Sequence, residues 1–197
     1  MSHGDSHPAP VAAGKSSFDL IDAREFFARI GLREGDRVAD LACGVGRYSV
    51  EIAKAVGARG VVYAVDLWDE GLETLRRRTV GEGIGNVRPL RGDITERIPL
   101  DDGSVDICLM ATVLHDLPPE RRGRALSEAA RILRPGGTLV LVEFKKVDRG
   151  PGPPQRVRIS EDEAQAMLAT PALSADYVGS LGEFTYLLTA RKAAAPG

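Results

Sequence analysis

The sequence predicts an α/β domain: a mostly parallel sheet with helices on both faces. Three observations carry this reading. Strand-like and helix-like segments alternate along the chain, the strands are near-continuous apolar runs, and a glycine turn and several acids stand just past strand ends. With 197 residues, 43% of them apolar and 27% charged, the chain can bury one full core.

Positions 1–16, rich in Ser, His, Gly, Pro and Ala, lack periodicity and read as a flexible tail. The domain is expected over 17–192, with a second tail at 193–197. Helical spacing runs from Ile21 to Ile30, with Asp22 as N-cap. Arg37 to Ala42 is the first strand and Gly46 to Val56 the helix after it. Val61 to Asp66 and Asp69 to Thr79 repeat the pattern. Val87 to Arg91 is a third, weaker strand, and Val105 to Ala111 a continuous apolar fourth. Pro118 to Leu133 is a helix opened by prolines and ended by Pro135-Gly136-Gly137. Thr138 to Phe144 is the fifth strand. Ser160 and Glu163 form a capping box for a helix reaching Ala169. Ala175 to Val178 and Phe184 to Arg191 have no helix between them, so Gly179 to Gly182 closes a hairpin and one strand is reversed.

A net charge of -2 implies no general attraction to nucleic acid or anionic membrane. No apolar run reaches the ~18 residues a span needs, and no signal peptide opens the chain. Cys43 and Cys108 are placed inside the fold, which points to a reducing cytoplasm without disulfides. His3 and His7 read as solvated tail residues, and no metal site is expected.

In such sheets ligands sit beyond the carboxyl ends of the strands. Asp40 closes the first strand, and Ala42, Gly44 and Gly46 form the turn into the next helix. Glycines there let backbone approach a ligand, and the helix start offers N–H groups to an anion. Asp40 would repel a pyrophosphate but favour an ammonium, and Ser49 occupies the third glycine position of the dinucleotide fingerprint. Asp66, 20 residues after Gly46, suits two ribose hydroxyls, with Leu67 and Trp68 against adenine. Asp93 suits the adenine amino group, with Ile94 on the ring, and Ala111 ends the fourth strand beside them. Each acid alone could be a cap or a solvated turn residue. Three at successive strand ends, with no cationic cradle, suit a ligand of net positive charge.

With these residues the chain resembles the class I S-adenosylmethionine-dependent methyltransferases over about Ile21 to Lys192. Val38 to Gly46 is similar to their first motif, Val65-Asp66 to the ribose motif and Gly92-Asp93-Ile94 to the adenine motif. Val105 to Leu117 and Leu133 to Gly137 are similar to the fourth- and fifth-strand motifs. Ala42 departs from the glycine of many members. The resemblance implies a Rossmann-like seven-stranded sheet with a reversed last strand. It also implies S-adenosylmethionine as donor, giving S-adenosylhomocysteine, and a small-molecule acceptor. The subgroup is similar to the small bacterial ubiquinone/menaquinone and arsenite methyltransferases. Arsenite is disfavoured because neither cysteine is placed to hold a metalloid.

Methyl transfer from a sulfonium needs orientation and water exclusion, and a base only for a protonated acceptor. His115, after the fourth strand, is the candidate base, or else it only lines the pocket. Asp116 reads as a cap for the next helix. The Gly/Pro loop from Asp148 to Arg158 is a lid or a stiff connector, and Phe18, Phe26 and Phe27 cover the cleft or fill the core. Two alternatives stand beside the enzyme: a nicotinamide-dependent oxidoreductase, and a non-catalytic S-adenosylmethionine-binding module. The acceptor and the oligomeric state are not legible.

Overall fold

The computed structural model describes residues 14 and 16–194. The tail expected over 1–16 therefore lies almost wholly outside the described residues, as do positions 195–197. Ser16 caps a 3-10 turn over Ser17–Leu20, and the Ala193 N–H donates to the Ala172 carbonyl at 3.0 Å.

Seven strands form one sheet: β1 (Arg37–Leu41), β2 (Val61–Asp66), β3 (Val87–Arg91), β4 (Val105–Ala111), β5 (Leu133–Phe144), β6 (Leu173–Ser180) and β7 (Thr185–Lys192). Their order is β3-β2-β1-β4-β5-β7-β6. All neighbours are parallel except β5–β7 and β6–β7, so β7 is the reversed strand. Among the described residues five helices flank it: α1 (Ala23–Ile30), α2 (Arg47–Val56), α3 (Asp69–Gly81), α4 (Pro119–Ile132) and α5 (Glu161–Leu168). The chain order reverses between β1 and β4, which opens the crevice where α/β sheets bind ligands.

Period-two alternation sends each strand's side chains to two cores. Ala39, Leu41, Cys108, Met110, Leu139 and Leu141 pack with Ala125, Leu126 and Ala129 of α4 and Leu168 of α5. Val38, Val62, Ile107, Leu109 and Val140 pack with Phe26 and Ile30 of α1, Ile52 and Val56 of α2 and Leu75 of α3. Phe26 is fully buried among these, so it is a core residue and not a cleft cover. Cys43 and Cys108 are both free thiols.

Several boundaries differ from expectation. α1 starts at Ala23 because Asp22 is its cap: Asp22 Oδ1 accepts the Glu25 N–H at 3.0 Å. Asp22→Ala should cost about 1 kcal/mol in urea unfolding; an unchanged midpoint would mean that solvent replaces the cap. α4 ends at Ile132, and Pro135-Gly136-Gly137 lies inside β5. Arg134 precedes proline and is driven out of the helical region. Five steps from Leu133 to Thr138 then face two from Val105 to Ile107, a bulge of three residues. Its tight point is Gly137, where a Cβ would stand 2.9 Å from the carbonyl oxygens of Arg134 and Asp106. β6 extends two residues beyond its expected span at each end, β7 begins and ends one residue later than expected, and the two are joined through 181–184. β1 stops at Leu41 because Ala42 turns to φ 60°.

Candidate functional site

A cleft of about 300 Å³ opens over the carboxyl ends of β1, β2 and β4. β1 brings Asp40, Ala42 and Gly44 to it, β2 brings Asp66, Leu67 and Trp68, β3 brings Asp93 and Ile94, and β4 brings Ala111. Gly46 and His115 are absent from its walls among the described residues. Gly46 is required for packing: its φ is 73°, and a Cβ there would collide with the Leu75 side chain of α3.

Asp40 is 2% exposed. Burial and the neighbouring Asp66 charge raise its pKa to about 6, against the lowering effect of the Ser49 hydroxyl donated to Oδ2 at 2.5 Å. A buried carboxyl held that far from its ordinary value, in a cleft, makes Asp40 a candidate functional-site residue. Asp66 Oδ2 accepts the Gly44 N–H at 2.7 Å and Oδ1 the Trp68 N–H at 2.8 Å. The Gly44 amide, expected to face a ligand, thus serves to lock Asp66 across the first two loops. Each Asp66 oxygen keeps acceptor capacity for a second donor. Asp93 Oδ1 accepts from the N–H and hydroxyl of Thr95, both at 2.8 Å, which fixes the turn after β3.

The far end of the cleft carries hydroxyls that the sequence does not single out. Ser17 Oγ is 3.1 Å from the Tyr48 hydroxyl and 3.2 Å from Thr112 Oγ1. All three line the cleft. Ala42 (φ 60°) and Thr112 (φ 52°) are the two non-glycine residues with positive φ among those described. Both stand on the cleft wall, where backbone strain of order 1–3 kcal/mol is characteristically stored.

Asp116 lines this end too and does not cap α4, because Pro118 holds the N-cap position. His115 lies behind it. The imidazole Nδ1 is 2.6 Å from Glu143 Oε2 of β5, and Nε2 is 3.4 Å from Asp116 Oδ1. Glu143 Oε1 accepts the N–H of Leu114 at 2.9 Å and of His115 at 3.4 Å. Glu143 has a signal in the sequence, a lone acid within a continuous apolar strand.

No residue of the Asp148–Arg158 loop appears among the described cleft walls. It is a stiff connector: the buried Arg158 guanidinium donates to the carbonyls of Pro153 (2.8 Å), Pro151 (3.0 Å) and Lys145 (3.0 Å). Phe18 packs edge-on against Tyr48 at 5.0 Å, and Phe27 against Phe26 at 5.2 Å.

The family described as "Methyltransferase domain" matches residues 38–137, half of the chain. The chain belongs to this methyltransferase domain family. The matched span runs from the start of β1 through the β5 bulge and so contains the cleft acids Asp40, Asp66, Asp93 and Asp116. The methyltransferase domain is 36% identical over 117 residues to the ubiquinone/menaquinone biosynthesis C-methyltransferase UbiE of Azotobacter vinelandii, covering 59% of this chain and 45% of that protein. It is 33% identical over 114 residues to the demethylmenaquinone methyltransferase of Staphylococcus aureus, covering 58% and 45%. The chain spans about half the length of the curated relatives it matches. A solved SAM dependent methyltransferase from Aquifex aeolicus superposes with a TM-score of 0.83 at 29% identity, over 90% of this chain and 93% of that one. The expected seven-stranded Rossmann-like sheet with its reversed strand is therefore the sheet observed.

Proposed function

We propose that this domain binds S-adenosylmethionine and transfers its methyl group to a small-molecule acceptor by in-line displacement. One observation carries the reading. The charged side chains among the described cleft walls are four carboxylates, Asp40, Asp66, Asp93 and Asp116, with no Lys or Arg. S-adenosylmethionine fits such a cleft because its ammonium and sulfonium outweigh its carboxylate. A nicotinamide dinucleotide would bring a pyrophosphate to a wall of acids, which disfavours that alternative.

When bound, S-adenosylmethionine supplies an electrophilic methyl on a sulfonium. The chain's residues bind and orient. Asp40 holds the ammonium, and Asp66 takes the ribose hydroxyls on its remaining lone pairs. Leu67, Trp68 and Ile94 sandwich adenine, and Asp93 takes the amino group. Ala42 and Ala111 keep the walls small, and Gly44 supplies the turn that fixes Asp66. Gly46 acts indirectly, by seating α2 on α3. His115, behind the wall, acts through Asp116 and not on the acceptor itself.

The acceptor reading follows the relatives, which are named for quinone methylation: a hydroxyl-bearing aromatic, not nucleic acid. Among the described residues no helix is long and apolar enough to cross a membrane. A screen with tritiated methyl donor tests the reading on four acceptors: 1,4-naphthalenediol, catechol, benzylamine and 2-mercaptoethanol. Label transfer to the diols is expected. Donor binding with no transfer to any of them would favour the non-catalytic module.

A further inference from the structure

The chain Glu143–His115–Asp116 runs from the core to the cleft, and the donor's ammonium, ribose and adenine are assigned to Asp40, Asp66 and Asp93, not to it. Its inner end is a carboxylate 1% exposed that accepts from two backbone N–H groups and stands 2.6 Å from imidazole Nδ1. Its outer end, the Asp116 side chain, is 53% exposed and lines the cleft. We propose that Asp116, His115 and Glu143 form a proton relay that opens on the cleft at Asp116 and serves acceptors that arrive with their proton, hydroxyls or amines. The inference rests on the methyltransferase reading above and names the acceptor class within it.

The geometry fixes the direction of transfer. A carboxylate Oε2 can only accept, so Nδ1 carries the hydrogen, and in the neutral ring Nε2 presents its lone pair toward Asp116. Other charges around the ring are few. Arg122 on α4 opposes protonation, while Glu143 and Asp116 favour it. The Phe144 ring packs edge-to-face against the imidazole, with centroids 5.8 Å apart. Tyr186 of β7, opposite Glu143 in register, turns its hydroxyl to the carbonyls of Ile159 and Ser160. Burial alone would lower the imidazole pKa, but the Glu143 hydrogen bond and charge, with Asp116, raise it overall. In the step itself the acceptor's lone pair forms the bond to the methyl carbon. The carbon–sulfur bond breaks, and its electron pair stays on sulfur. The acceptor's proton goes to an Asp116 oxygen and on to His115 Nε2, giving an imidazolium flanked by two carboxylates. Solvent at Asp116 then takes the proton away. Glu143 and His115 are positioning residues.

Long-range ¹H–¹⁵N spectra of the full chain test the pairing without any acceptor. Neutral His115 should be the Nδ1–H tautomer and titrate above the ordinary ~6.5. In Glu143→Gln the amide oxygen keeps the backbone N–H groups while its NH₂ faces Nδ1. The tautomer should switch to Nε2–H and the midpoint fall. Asp116→Asn, on the exposed end, should lower the midpoint and keep the tautomer. Asp116→Asn should also cut kcat at least tenfold on whichever of 1,4-naphthalenediol, catechol and benzylamine is methylated. The donor KM should stay within a few fold, and 2-mercaptoethanol, assayed as thiolate, should be spared. An Nε2–H tautomer in the parent protein, a midpoint indifferent to Asp116→Asn, equal losses on thiolate and diol, or no methylation of any protic acceptor would each overturn the relay. S-adenosylhomocysteine binding, read by calorimetry on the same samples, reports separately on the donor reading.

Discussion

Asp66→Ala should lower affinity for S-adenosylhomocysteine by about 2–4 kcal/mol, roughly 30- to 1000-fold, in titration calorimetry. Two charge-assisted hydrogen bonds to the ribose diol account for that range. The same substitution removes the acceptor for the Gly44 and Trp68 N–H groups, so the turn after β1 loses its tie to β2. A lower melting temperature should accompany the weaker binding. Asp66→Asn keeps one carbonyl acceptor and should fall between parent and Ala in both readouts. Unchanged affinity in a folded Asp66→Ala protein would remove Asp66 from the donor site.

Asp40→Asn should change stability and binding in opposite senses. The Asp40 pKa is raised in the folded state to about 6 from 3.8, chiefly by burial and, beyond that, by Asp66, with Ser49 opposing. A folded pKa above the unfolded one means that the neutral acid stabilises the fold. That contribution is complete below about pH 4 and is lost as pH rises through 6. At pH 8 the ionised, buried carboxylate therefore costs about 3 kcal/mol. Asparagine avoids the cost and can still accept from Ser49. Asp40→Asn should unfold at higher denaturant than the parent at pH 8, with the gap shrinking to about half by pH 5. Donor affinity should fall by about 1–2 kcal/mol, because the ammonium loses its counter-charge. A variant that binds as tightly as the parent would make Asp40 a structural acid tied to Ser49.

What the sequence makes legible follows from locality. The acids Asp40, Asp66 and Asp93 each stand at or just past the end of a strand, so a linear pattern places them at one rim of the sheet. Strand alternation places that rim at the switch between β1 and β4. The pairings across the rim join residues far apart in the chain. The Gly44 amide meets Asp66, Ser17 meets Thr112, and His115 meets Glu143, and none of these has a local signature. Thr112 adopts a positive φ that its residue type does not announce. The β5 bulge hides for a related reason: Pro135-Gly136-Gly137 reads as a helix terminator, and only pairing with β4 shows that the strand has already begun.

The central claim is that the acid-lined cleft holds a cationic sulfonium nucleoside. Calorimetry of the parent protein with S-adenosylmethionine, S-adenosylhomocysteine and NADH tests it most directly. Micromolar binding of the first two, about -8 kcal/mol, is expected, with weaker or no binding of NADH. NADH binding more tightly than either would contradict it.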